Sequence, residues 1–208
     1  MTEHTLFFYG TLLHPPILHR VIHGPSNPSF PSPASSYVYT RPAILSNHRR
    51  HRVKGADYPA VVPASRSTVR GTLATGLTEQ DVRRLDIFEG EEYERRQIKV
   101  RALKGDGKGE ETVEDGEEIQ TETYVWIAGQ DRLEEGEWDF ETFKREKMRF
   151  WIGTDGEGET GREEFGAVDA GIADAAGDGT GGRRVGGAIG KELEREHVAG
   201  REAVRSAV

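Results

Sequence analysis

Leu6-Phe7-Phe8-Tyr9-Gly10-Thr11-Leu12 opens as a hydrophobic strand and then breaks into a turn. Phe7, Phe8 and Tyr9 suit a pleated, half-buried surface. Gly10 lets a ligand approach the main chain closely. A strand ending in Gly-Thr at a sheet rim leaves backbone N–H groups pointing into open space, and such donors make a cradle for a carboxylate or phosphate. A first strand followed by an ordinary turn gives the same residue pattern.

Outward from this stretch, the pattern alternates between helix and strand. Leu13 to Gly24 reads as a short helix carrying Ile17, Leu18, Val21 and Ile22 on one face. His19 and His23 stand at i, i+4 on it, a spacing that can hold a metal, but no third ligand follows at a familiar distance, so surface histidines are expected. Pro25 to Pro33 is a proline- and serine-rich loop, and Tyr37 to Leu45 a strand. The basic run His48-Arg49-Arg50-His51-Arg52 is expected to be a solvated strand edge or turn. Tyr58 to Pro63 and Val69 to Leu77 read as two further strands.

Thr78 to Phe88 is the clearest helix. Thr78 followed three residues later by Asp81 has the form of a capping box, and Leu77 with Val82 that of a hydrophobic staple. Val82, Leu85 and Phe88 make the apolar stripe, and Gly90 ends the helix. Tyr93 to Leu103 and Thr121 to Ala128 read as strands, with Ile98, Val100, Val125 and Ile127 alternating. Lys104 to Gln120, rich in glycine and glutamate, is expected to be a long hairpin loop. Trp138 to Trp151 reads as one helix that docks Phe140, Phe143, Phe150 and Trp151 on the sheet.

The composition shifts after Trp151. All nine prolines precede it, and half of the 26 glycines lie between Gly153 and Gly190. Residues 153–208 are therefore expected to be a low-complexity, mobile tail that cannot build a core, with a possible terminal helix from Gly190 to Val208. Gly156-Glu157-Gly158-Glu159-Thr160-Gly161 matches a dinucleotide fingerprint in form only. It lacks a βαβ context, and its glutamates would repel a pyrophosphate.

The totals narrow the function classes. With 35% hydrophobic and 31% charged residues, the chain is polar for a domain of 208 residues, consistent with one core and an unpacked extension. The net charge of -8 argues against a general nucleic-acid binder. The absence of cysteine removes disulfides, thiol nucleophiles and cysteine-ligated metals. No basic leader with an apolar run opens the sequence, and no window reaches the length of a membrane span. A soluble cytoplasmic protein is expected. Serine hydrolase, zinc protease and P-loop signatures are missing.

Carboxylates are the remaining reactive candidates, densest in Leu85-Asp86-Ile87-Phe88-Glu89-Gly90-Glu91-Glu92. Glu89 closes a helix, where the dipole disfavours negative charge, and Phe88 offers an apolar wall. Both would make it a stronger base near neutral pH. An exposed glutamate in an acidic loop has the same spacing.

Taken in order, Tyr9-Gly10-Thr11-Leu12, the apolar Tyr58-Pro59-Ala60-Val61-Val62, and Leu85-Asp86-Ile87-Phe88-Glu89-Gly90 followed by Tyr93 and Arg95 resemble the γ-glutamylcyclotransferase-like superfamily, in its γ-glutamylamine cyclotransferase and plant avirulence-induced branch. The resemblance covers about residues 5–152. It implies an α+β fold, a small mixed β-barrel with flanking helices, to which the glycine-rich C-terminal segment is an extension. It also implies cyclisation of a γ-glutamyl group to 5-oxoproline with release of an amine or amino acid. Tyr9, Gly10, Thr11 and Leu12 would form the substrate loop, and Glu89 the general base, with Glu91 and Glu92 beside it. No cofactor or metal is implied, and the partner is a small γ-glutamyl molecule rather than nucleic acid or membrane. γ-Glutamyl-lysine, γ-glutamyl-amines and γ-glutamyl-amino acids, glutathione included, all fit as substrates, and no oligomeric state is implied. A non-catalytic module of the same fold, holding an anionic metabolite or protein partner, is the alternative. An RNA-associated protein using His48 to Arg52 is disfavoured by the charge.

Overall fold

Five strands that each alternate inward and outward side chains close into a barrel. The computed structural model describes residues 3–24, 38–105, 111–112, 116–152 and 159–174. Strands β1 (His4–Phe8), β2 (Tyr39–Arg52), β3 (Pro59–Leu77), β4 (Tyr93–Ala102) and β7 (Glu118–Trp126) run in the order β1-β3-β2-β4-β7. The short strands β5 (Lys104–Gly105) and β6 (Glu111–Thr112) pair separately, inside the segment expected to be a loop. Flanking helices are α1 (Pro15–His23), α2 (Glu79–Glu89), α3 (Phe140–Glu146), α4 (Met148–Ile152) and α5 (Glu159–Asp174). This is the α+β mixed barrel that the resemblance implies.

The barrel is mixed because its seam is parallel. β1 meets β7 through the single pair Leu6↔Glu122, while every other pairing around the barrel is antiparallel. Thr121 and Thr123 reinforce that seam. Their hydroxyls donate to the carbonyls of Thr5 and Phe7 at 2.6 and 2.7 Å. Phe7, Leu45, Leu73, Val100 and Val125, one from each strand, fill the lumen. Leu6 and Phe8 point the other way, into a second core shared with the helices. Gly71 is required where β3 passes β1, since a Cβ there would lie 2.2 Å from the Phe8 carbonyl oxygen.

The local signals are matched closely. Thr78 and Asp81 form the reciprocal capping box, and Gly90 ends α2 with φ +67°. Other expectations are revised. The two strands read over 58–77 are one, because the proline- and serine-rich middle is a bulge: pairing jumps from Ser46↔Thr68 to His48↔Pro63, with Asn47 and Arg66 at positive φ. The basic run 48–52, read as a strand edge or a turn, is the former, the last five residues of β2. β7 ends at Trp126, so Ile127 is exposed while Tyr124 and Trp126 face the helices. The helix expected over 138–151 starts at Phe140, capped by Asp139, whose carboxylate accepts from the Thr142 N–H, and breaks at Lys147. Phe150 is consequently exposed.

The largest revision concerns the glycine-rich segment. Residues 159–174 form α5, and Phe165 and Val168 are each 1% exposed in the helix-side core. The Phe165 ring packs edge-on against Trp151, centroids 6.3 Å apart. Asp169 pairs with Arg20 of α1 at 2.8 Å and with Arg84 of α2. The average composition of 153–190 hides these anchors. The Pro25–Pro33 loop and the terminal helix read over 190–208 lie outside the described residues.

Candidate functional site

The end of β1 supplies the first wall. Tyr9 is buried, and its hydroxyl donates to the Tyr124 carbonyl at 2.6 Å. Beyond Gly10 the chain tightens into a 3-10 turn, Thr11–Leu13, held by Leu13 N–H to Gly10 O at 3.0 Å. Pro15 and Pro16 then start α1, where their missing N–H groups cost nothing. Gly10 has φ −120°, so no left-handed backbone demands glycine here. Space does: a Cβ at Gly10 would stand 2.9 Å from Cγ of Pro59.

Pro59 and its neighbour Tyr58 are the second wall. Tyr58 donates to the Glu92 carboxylate at 3.0 Å, Arg132 donates to its other oxygen at 2.5 Å, and the Tyr93 hydroxyl donates to the Pro59 carbonyl at 2.8 Å. Glu92 is therefore a buried structural carboxylate. Glu91 is exposed.

Glu89, half-buried at the C-terminus of α2, is the third wall, and Tyr124 the fourth. The four walls meet around a cleft lined by Phe7 to Leu12, Tyr58, Pro59, Glu89 and Tyr124. Tyr9, Gly10, Thr11, Leu12 and Glu89, the candidates named from sequence, thus share one cleft although eighty residues separate turn from acid in the chain. Its volume is about 20 Å³, the room of one water molecule. As it stands, the cleft is smaller than a metabolite.

Electrostatics divide the roles of the two ionisable walls. The Tyr124 hydroxyl donates to Asp86 at 2.8 Å, and Arg95 bridges Asp86 (3.1 Å) to Glu122 (2.8 Å). Burial pushes the Tyr124 phenol well above its usual pKa, and the negative charges of Asp86 and Glu89 push it the same way. It is a fixed neutral group at physiological pH, which leaves Glu89 as the carboxylate of the cleft lining. His19 and His23 lie outside this cleft with ring centroids 5.3 Å apart, and among the described residues no group of three His, Asp or Glu side chains is placed to hold a metal.

Tyr58, Pro59 and Tyr124 escaped sequence reading as cleft residues. Pro59 and Tyr58 sit in a motif read for its apolar character and for its place in the ordered set, not as part of a site. Tyr124 precedes Val125, one of the residues whose alternation marks the strand, and a signal was present in its being an aromatic out of phase with it.

The sequence matches the family model described as gamma-glutamyl cyclotransferase, AIG2-like, over residues 6–140. It is 33% identical to AIG2-like protein B of Arabidopsis thaliana over 149 residues, 72% of this chain and 74% of that protein. AIG2-like protein D of the same plant is 32% identical over 152 residues, 73% of this chain and 86% of that one. A protein from Arabidopsis thaliana solved in solution shares the fold, with a TM-score of 0.50 and 24% identity, covering 85% of each chain.

Proposed function

The chain belongs to the gamma-glutamyl cyclotransferase, AIG2-like family, and we propose that it cyclises a γ-glutamyl group to 5-oxoproline and releases an amine or amino acid. The observation that carries this reading is the shared cleft of Glu89 and the Tyr9 to Leu12 turn. The reaction needs no enzyme nucleophile, because the substrate's α-amine attacks its own γ-carbonyl carbon. Holding the glutamyl chain folded supplies much of the rate.

The α-ammonium first gives a proton to Glu89. The freed amine attacks, a new C–N bond closes the five-membered ring, and the γ-carbonyl becomes an oxyanion. The old C–N bond then breaks as the protonated Glu89 delivers its proton to the departing nitrogen. In all, two protons leave the α-nitrogen and two reach the leaving amine, so one carboxylate used in turn suffices. Backbone N–H groups of the turn bind the substrate's α-carboxylate or the developing oxyanion. Tyr124, kept as a phenol, closes the wall behind Glu89 without competing for the proton.

The substrate is a small γ-glutamyl amide, and the site of action is the cytoplasm, in keeping with a cysteine-free chain in which no described helix is long and apolar enough to cross a membrane. The test is 5-oxoproline release by the intact chain from γ-glutamyl-lysine, simple γ-glutamyl-amines, γ-glutamyl-amino acids and glutathione. Release from at least one is expected. Calorimetric binding of 5-oxoproline without release from any substrate would replace the enzyme with a binding module of the same fold.

A further inference from the structure

We propose that Arg50 is the positioning residue of the anion cradle: it holds the Tyr9 carbonyl and so aims the Gly10 N–H. This inference rests on the turn being the ligand-binding element of the proposed reaction. Arg50 comes from the basic run whose position in β2 would by itself predict a solvated side chain. Its side chain is instead only 11% exposed. Nη1 donates to the Tyr9 carbonyl at 2.9 Å, and Nη2 reaches the Glu137 carboxylate at 3.2 Å. The guanidinium lies over the Trp138 ring, 5.4 Å from its centroid. Trp138 in turn donates from its indole N–H to the Asp57 carbonyl, next to Tyr58 in the cleft wall.

Three physical points make this a positioning device. The last β1 ladder pair is Phe8↔Thr72, so the Tyr9 carbonyl lies beyond the β1–β3 ladder, where Arg50 donates to it. A trans peptide carries its C=O and the following N–H on opposite sides, so fixing the Tyr9 carbonyl fixes the direction of the Gly10 N–H. A cation on the oxygen also polarises that peptide and strengthens its N–H as a donor to an anion. A neutral or misplaced group would leave the carbonyl free to turn its own negative end toward a bound carboxylate.

The arrangement has a cost that a surface arginine would avoid. The Nε of Arg50 is buried without an acceptor among the described residues. Breaking a local rule in this way is expected where a residue serves a site. Lysine replaces it only in part, because one ammonium lacks the flat fork that spans Tyr9 and Glu137 together.

The experiment compares wild type, Arg50→Gln, Arg50→Lys and Arg50→Ala. The readouts are the Gly10 amide resonance in 15N-labelled protein, its response to 5-oxoproline, thermal midpoints, and kcat and KM. Arg50→Gln and Arg50→Ala are expected to shift the Gly10 amide and weaken 5-oxoproline binding by about ten- to a hundredfold, the scale of a lost hydrogen bond to a charged group. KM should rise more than kcat falls. Arg50→Lys should be intermediate, and millimolar guanidinium should restore part of the affinity of Arg50→Ala. A Gly10 amide and an affinity like wild type in any folded neutral variant would overturn the inference. So would a loss that only tracks the unfolded fraction, without guanidinium rescue. If wild type releases no 5-oxoproline, the cyclisation reading fails, while the Gly10 amide in the variants still decides the role of Arg50.

Discussion

Gly10 shows how a single missing Cβ sets a site. Pro59 stands 2.9 Å from where that atom would be, closer than carbon contacts normally allow, and both residues line the cleft. Gly10→Val should therefore fold at a cost of about 1–3 kcal/mol, the scale of overpacking. It should fail to bind 5-oxoproline in a calorimeter. Normal binding by the folded variant would remove the turn from the site. The turn, its glycine and Glu89 were legible in the sequence because each sits inside a short motif. Arg50 and Tyr124 were not, since what they do depends on Tyr9 and Asp86, partners about forty residues away. Glu92 was misleading in the same way. It neighbours Glu89 in sequence, yet its oxygens are committed to Tyr58 and Arg132, so Glu91 is the proper exposed control.

Among the elements, α5 changes the picture most. Asp169 joins α1, which follows the Tyr9 to Leu12 turn, to α2, which ends in Glu89. A chain ending after residue 152 loses Phe165 and Val168 from the core and leaves Arg20 and Arg84 without that carboxylate. Its stability should fall by roughly 3–5 kcal/mol or more, the cost of deleting a buried aromatic alone. An unchanged thermal midpoint would show that α5 adds nothing. Burial pushes the Asp169 carboxyl up, but hydrogen bonds from Arg20 and Arg84 and their positive charges outweigh it, leaving a net pKa below the usual aspartate value. A carboxyl depressed on folding stabilises above its unfolded pKa, and that contribution is lost as pH falls through the folded value. Asp169→Asn should lower the midpoint at neutral pH by the equivalent of about 1–3 kcal/mol. It should also flatten the loss of stability below about pH 4. An unaltered pH profile would remove Asp169 as its source. Helix α2 was legible down to its cap because those contacts are local. Helix α5 was not, because the glycine-rich average of the segment masked the short stripe of Phe165, Val168 and Ile172 at i, i+3 and i+7.

At the scale of the whole molecule, the barrel brings distant positions to one rim. The end of β1, the start of β3, the end of α2 and the last turn of β7 meet there, carrying Tyr9, Pro59, Glu89 and Tyr124. The strand order and the parallel seam stitched by Thr121 and Thr123 make this possible. No local pattern encodes them. The proposed reaction asks for more room than the cleft's present volume of about 20 Å³. In the proposed reaction Glu89 is the wall that takes and returns a proton. The most direct test is the single-turnover rate of 5-oxoproline formation by the intact chain carrying Glu89→Gln, set against Glu91→Gln and wild type. Glutamine keeps the size of the side chain but accepts no proton, so a loss of about a hundredfold or more is predicted for Glu89→Gln, with substrate affinity little changed and Glu91→Gln near wild type. A wild-type rate in folded Glu89→Gln would contradict Glu89 as the base.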